Sequence, residues 1–267
     1  MKLSIGKAWE ETSAFLGKES RLVAPVALAT FAFPSILSGW AFPGGSTGAM
    51  GWVMVLVLIL ALIGQMTIVL LANGWRGSIG EAMGRATRRL PVLIGGLLIV
   101  FLPLILIAII ALTAVLAGAG ITDPTTLTPQ SIARVPNIGW IALLFLLFFI
   151  VASVRLFPAP AIAANEPVGP VALRRRSWRL TSGSFWRLLA HVLRLFVLTI
   201  VVSWAVTAVI GSVAALAAGE PRPFNLSALL IALATGLVGA VISTVSATMV
   251  ARVYAQVSIA PSVPPTA

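Results

Sequence analysis

The sequence predicts an all-α integral membrane protein: six transmembrane helices accompanied by three interfacial amphipathic helices. Three observations lead there. Of 267 residues, 59% are hydrophobic and only 9% charged, with a mean hydropathy of +1.07, whereas a soluble domain carries roughly 25% charged residues. Apolar runs long enough to cross a bilayer recur along the chain. The charge is also one-sided: of 18 Lys and Arg, all but Arg134 and Arg222 fall on the same side of the implied topology. That asymmetry is the positive-inside pattern, and it accounts for the net charge of +11 without a polyanion. No soluble platform of bases interleaved with aromatics is present, so nucleic acid is excluded as a partner.

Residues 3–16 place Ile5, Ala8, Trp9, Thr12, Phe15 and Leu16 at helical intervals, with Lys7, Glu10 and Glu11 off that stripe. The segment is too short and polar to span, so it is predicted to lie in the headgroup plane with Trp9 as an anchor. Span one follows at about Leu22–Trp40, bent by Pro25 and Pro34. An uncharged Pro/Gly/Ser turn at 41–49 leads to span two, about Met50–Leu71, whose single strongly polar side chain is Gln65. Residues 76–90 repeat the amphipathic pattern, with Ile79, Ala82, Met83, Ala86 and Leu90 on one face and Arg85, Arg88 and Arg89 largely off it. Pro91 is expected to open span three. Its apolar run to Gly118 is 28 residues long, which at ~1.5 Å each exceeds a ~30 Å hydrocarbon core and predicts a tilt, or a kink at Pro103.

An outer loop at 119–137 carries Asp123 and Arg134, and span four covers about Ile138–Phe157. Span five is read at about Leu188–Ala217 and span six at about Leu226–Val253. In span six Gly239, Ser243, Ala247 and Ala251 recur every fourth residue beside Ala232, Gly236 and Ala240. Such a stripe admits close backbone approach and predicts a core helix. The Pro-rich tail 258–267 is expected to be disordered.

Set side by side, Ala8-Trp9-x-x-Thr12-Ser13, Ala82-Met83-x-x-Ala86-Thr87 and Ser177-Trp178-x-x-Thr181-Ser182 share one pattern at spacings of 74 and 95 residues. Each is followed by two spans, which predicts a single domain over 1–257 built as three copies of an interfacial helix plus a transmembrane hairpin, at about 3–74, 75–165 and 166–257. Basic residues cluster near 2–21, 76–89 and 155–194, with Arg252 closing the set. Both termini are therefore predicted to be cytoplasmic, and nothing in residues 1–21 reads as a cleavable signal peptide.

The most polar stretch lies between spans four and five. Pro158 and Pro160 are expected to stop span four, Asn165-Glu166-Pro167 to turn the chain, and Pro170 to start a new helix that ends at Gly183. That helix is expected to bury Trp178 and Thr181 and to spread Arg174, Arg175, Arg176 and Arg179 over its other faces. Ser184 is expected to cap the next helix, which begins with Phe185 and Trp186. Arginines beside indoles at an interface bind phosphate and add about 1 kcal/mol of adhesion per basic residue near an anionic leaflet.

In Arg155, Pro158 or Pro160, Glu166, Ala172, Ser177, Trp178, Leu180, Thr181, Gly183, Phe185, Trp186 and Arg187 the chain resembles the membrane domain attached to some bacterial glycerophosphoryl diester phosphodiesterases, which also occurs alone. The resemblance implies a stand-alone protein of the bacterial cytoplasmic (inner) membrane with a lipid-related role. It does not carry the phosphodiesterase activity, because the chain has no room for the soluble, metal-binding barrel in which that chemistry resides.

The titratable residues suggest no catalytic centre. His191 has no second imidazole or cysteine to share a metal with, the seven acids are scattered, and Glu10 and Glu11 point about 100° apart on a helix. No cofactor is implied. The absence of cysteine also excludes thiolate sites. Arg155, Arg194 and Arg252 lie at the inner ends of spans and either snorkel or, for Arg155, turn inward to pair with Glu166. Gln65 is expected to bond between helices. The leading expectation is a non-enzymatic multi-pass inner-membrane protein that binds anionic phospholipid through Arg174, Arg175, Arg176, Arg179, Trp178 and Trp186. It would act in envelope organisation or as a subunit with a membrane partner or a second copy. The alternative is a small transporter or lipid-handling protein with a polar crevice near Arg155, Glu166 and Gln65.

Overall fold

A computed structural model of the protein describes residues 4–43, 48–118 and 138–258. The outer loop with Asp123 and Arg134, residues 44–47 of the 41–49 turn, Lys2 and the Pro-rich tail after Ser258 lie outside the described residues. Every regular element among those residues is helical: α1 (Ile5–Ala27), a π-helical turn (Leu28–Ala32), α2 (Phe33–Ala41), α3 (Gly48–Ala72), α4 (Ile79–Gly118), α5 (Ile138–Leu156), α6 (Ala159–Asn165), α7 (Pro170–Ser182), α8 (Phe185–Ala218) and α9 (Leu226–Ser258). Six stretches are long and apolar enough to cross a membrane: Ile5–Ala41, Met50–Ala72, Ile79–Gly118, Ile138–Asn165, Phe185–Ala218 and Leu226–Ser258.

The first stretch is broken where charge gives way to apolar sequence. Glu19 leaves helical geometry (φ −109°, ψ 17°), so the amphipathic residues before it and the apolar ones after it form two segments in one run. The bends expected at Pro25 and Pro34 are absorbed by the π turn between them, in which the Phe33 N–H reaches back to the Leu28 carbonyl. There the Thr30 hydroxyl donates to the Val26 carbonyl at 2.8 Å, and Gly64 of α3 lies so close that a Cβ on it would run into the Thr30 side chain.

The third stretch differs from expectation. No helix boundary falls at Pro91, and α4 runs unbroken for 40 residues through both Pro91 and Pro103. Proline is tolerated inside a membrane helix where neighbours re-satisfy the freed carbonyl. At ~1.5 Å per residue α4 is ~60 Å long, twice a ~30 Å hydrocarbon core. The helix of span four stops just before Pro158, as the two prolines predict, but a second helix follows at once. After α5 stops at Leu156, Pro160 sits in the first turn of α6, where its missing N–H costs nothing. This seven-residue helix, missed in the sequence, is buried from Ala159 to Ala164 among α3, α4, α7 and α9.

The core is concentrated at the end where α3, α5 and α9 finish and α4, α7 and α8 begin. Met66 to Ala72 of α3, Ala159 to Ala164 of α6, and Ala247 to Ala251 of α9 are buried, whereas Trp52 at the other end of α3 is 80% exposed. α9 is the central helix expected of span six, in contact with α1, the π turn, α2, α3, α6 and α8. The buried stripe runs through Ala228, Ala232, Gly236, Ala240, Thr244 and Ala247, with Gly239 and Ser243 half-buried beside it. The neighbouring stripe is thus packed along its length, and the predicted one only from Ala247 on, where Ala251 is also buried. A Cβ on Gly236 would lie 2.5 Å from Ile36 Cγ1 and 3.4 Å from the Ala32 carbonyl oxygen, whereas at Gly239 it would meet nothing within 4 Å.

Away from the core, Leu106, Ile110, Leu147, Phe196, Val201 and Trp204 are exposed on α4, α5 and α8, an apolar surface that water does not tolerate but lipid does. The opposite end is closed more sparsely: Trp40 stacks edge-on with Phe224 at 5.3 Å and its indole N–H donates to the Asn225 carbonyl. Arg222 lies on that end. Every other described Lys or Arg belongs to the segments that meet at the packed end.

Candidate functional site: the basic end

The basic end is built around α7. Pro170 begins this helix at its first turn and Gly183 ends it, as the sequence predicts. Its buried face is Leu173, Ser177 and Thr181. The expectation that Trp178 joins that face is not met: its side chain is 41% exposed. Gly95 and Gly96 of α4 make the seat, because a Cβ on Gly96 would collide with Leu173 and one on Gly95 would lie 3.0 Å from Pro170 Cγ. Ser184 occupies the N-cap of α8 but makes no side-chain capping bond.

Arg155, in the last turn of α5, fastens α7 from below. The Ser177 hydroxyl donates to the Arg155 carbonyl at 2.6 Å, taking one of the acceptors that a helix C-terminus leaves open. The Arg155 guanidinium donates to the Trp178 carbonyl and to Thr181 Oγ1, both at 3.4 Å. It also lies over two rings, 5.4 Å from the Trp178 centroid and 4.9 Å from that of Phe185. Arg155 is thus not paired with Glu166. The Glu166 carboxylate instead accepts from Arg176 Nε at 3.3 Å and from the Tyr254 hydroxyl at 2.9 Å. That contact joins the α6–α7 turn to α9, and it commits Arg176, grouped by sequence with the headgroup-binding arginines, to an internal pair.

Arg174, Arg175, Trp178, Arg179 and Ser182 line one groove of about 480 Å³ on the open face of α7. The three arginines are exposed and form no ion pair among the described residues. Trp186 projects from the start of α8, 78% exposed. The groove therefore joins unneutralised guanidinium groups to an indole.

The remaining sequence candidates do not converge on it. Gln65 is half-buried on α3 and makes no side-chain hydrogen bond among the described residues, so the expected interhelical bond is absent there. Arg194 is exposed on α8. His191 is buried, its ring edge-on to Phe157 at 6.2 Å. No hydrogen bond or ion pair among the described residues joins Arg155, Glu166 and Gln65 to one another. Among the described residues, no group of three His, Cys, Asp or Glu is arranged to hold a metal ion.

Sequence reasoning missed the role of Arg85. It bonds the Ala164 carbonyl through Nε at 3.1 Å and the Asn165 carbonyl through Nη2 at 3.4 Å, while lying 5.5 Å over the Trp75 ring. It thereby caps the C-terminus of buried α6. Its i, i+4 register behind Glu81, on a face shared with Arg88 and Arg89, does not reveal a distant carbonyl.

A family model described as a domain of unknown function, DUF7847, matches residues 11–257. No curated protein and no solved structure matches the chain.

Proposed function

The chain belongs to the DUF7847 family, and we propose that it is a non-enzymatic, multi-pass protein of the bacterial cytoplasmic membrane whose basic end binds anionic phospholipid. Both termini lie on the cytoplasmic side in this reading, and the protein serves envelope organisation or a larger membrane assembly. The observation that carries the proposal is the groove on α7, where Arg174, Arg175 and Arg179 stand exposed and unpaired around Trp178. Exposed arginine forks match phosphate oxygens bidentately, and a helix held by its opposite face presents them at little further entropic cost. The bacterial assignment rests on the motif resemblance at Arg155–Arg187, and the cytoplasmic orientation on the placement of the basic residues.

The threefold organisation belongs to the same proposal, and burial at the aligned positions supports it. Ala8, Ala82 and Ser177 are each 0% exposed, and Thr12, Ala86 and Thr181 are 1%, 0% and 1% exposed. An arginine–aromatic contact also recurs: Arg155 lies over Phe185 beside the third segment, and Arg252 lies 5.3 Å over Phe15 beside the first. In both cases the arginine comes from the end of the hairpin that precedes the segment, counting span six as preceding the N-terminus. Three segments seated in one way around a ring would present their charged faces to a single leaflet.

The test is lipid retention. Arg174→Gln/Arg175→Gln/Arg179→Gln, with Arg176 left in its internal pair, is compared with the unaltered protein after reconstitution in nanodiscs of phosphatidylglycerol and phosphatidylcholine. At ~1 kcal/mol per basic residue, phosphatidylglycerol enrichment falls by about two orders of magnitude at low salt and by less at 0.15 M, where charges are screened. Unchanged enrichment refutes the proposal.

A further inference from the structure

A second concavity at the basic end owes nothing to α7. Where α1 breaks at Glu19, the end of α3 and the last turns of α9 close on it, forming a pocket of about 530 Å³ lined by Phe15, Glu19, Leu22, Asn73, Trp75 and Arg252 among others. Two of its buried polar atoms lack a hydrogen-bond partner within the described residues. Asn73 Nδ2 and Arg252 Nε are buried and make no hydrogen bond, and Glu19 forms no ion pair. Buried donors left unsatisfied cost free energy and invite a ligand acceptor. Glu19, Asn73 and Arg252 are also the points where three different helices pass from apolar to polar sequence, which places the pocket at headgroup depth, with Leu22 and Leu71 at its apolar edge.

The chemistry on its walls is dipolar. Arg252 and Asn73 offer donors to a phosphate, while the Glu19 carboxylate repels a headgroup that is only anionic and attracts an ammonium. A quaternary ammonium would need an open aromatic face. Both rings in the wall are already covered, Phe15 by Arg252 at 5.3 Å and Trp75 by Arg85 at 5.5 Å. A primary ammonium needs only acceptors, and Glu19 supplies them. We propose that this pocket binds a phospholipid headgroup carrying both a phosphate and a primary amine, of the phosphatidylethanolamine class, with the phosphate on Arg252 and Asn73 and the ammonium on Glu19.

The full-length protein, taken from nanodiscs of equal phosphatidylethanolamine, phosphatidylcholine and phosphatidylglycerol, is analysed by native mass spectrometry for the lipid that survives collisional activation. One phosphatidylethanolamine is expected on the unaltered protein. In Glu19→Gln, an exposed and conservative change, its preference over phosphatidylglycerol falls about fivefold, as expected for a partly solvated ion pair. Asn73→Leu and Arg252→Gln lose the adduct, while Arg174→Gln/Arg175→Gln/Arg179→Gln keeps it, so this site and the α7 groove fail separately. Equal retention of the three lipids, an undiminished preference in Glu19→Gln, or loss of the adduct in the α7 variant overturns the assignment. Binding of soluble phosphoethanolamine to delipidated protein that does not take up the lipid overturns it as well.

Discussion

Replacing Arg155 by Gln tests how the basic helix is held. The guanidinium sits over two rings at 5.4 and 4.9 Å and reaches two acceptors at 3.4 Å. Each cation–π contact in a half-buried setting contributes about 0.5–2 kcal/mol. The two hydrogen bonds are long and add about 0.5 kcal/mol or less each. Glutamine keeps none of the stacking, so the loss is about 2–3 kcal/mol, which raises the equilibrium for α7 leaving its seat by about 30- to 150-fold. Hydrogen–deuterium exchange in detergent reads this directly: amides of residues 170–182 exchange faster by that factor, while those of α9 do not change. Arg155→Lys retains the charge but not the planar stacking, and recovers less than half of the protection. Unaltered exchange over α7, or an equal rise throughout the molecule, refutes the reasoning.

Two further changes probe the packing around α9. Gly236→Val forces a side chain into Ile36 and the Ala32 carbonyl and costs about 2–3 kcal/mol, lowering the melting temperature by roughly 5–10 °C. Gly239→Ala, with nothing within 4 Å, leaves melting unchanged. Tyr254→Phe removes the 2.9 Å bond to Glu166 and costs about 1.5–3 kcal/mol, because the acceptor is charged. Thermal melting measures it, and no loss would mean that Arg176 alone holds the carboxylate.

The spans were legible because their signals are local: length, apolarity, the proline at the start of α7 and the glycine at its end. What stayed hidden depends on partners distant in sequence. Pro158 and Pro160 did mark the end of span four, but nothing local shows that Pro160 also occupies the first turn of a further helix inside the protein core. Pro91 read as a boundary because the sequence does not reveal which neighbours make an interior proline tolerable. On span six two small-residue stripes lie side by side, and only the close approach of Ile36 and Ala32 to Gly236 selects one. For Arg155 the sequence left snorkelling and an inward pair with Glu166 open, and neither reading names its actual contacts: two aromatic rings lie against the arginine, and Arg176 and a tyrosine 88 residues away hold the acid.

The contacts of α1 with α9 also impose an order of assembly. The Ser4 N–H bonds the side chain of Gln256, and the Thr12 hydroxyl points at the sulfur of Met249, so this face of α1 gains those partners only when α9 emerges. Synthesis proceeds from the N-terminus, and α1 can meet the π turn and α3 well before that. The last helix therefore closes a seat that earlier helices have already begun.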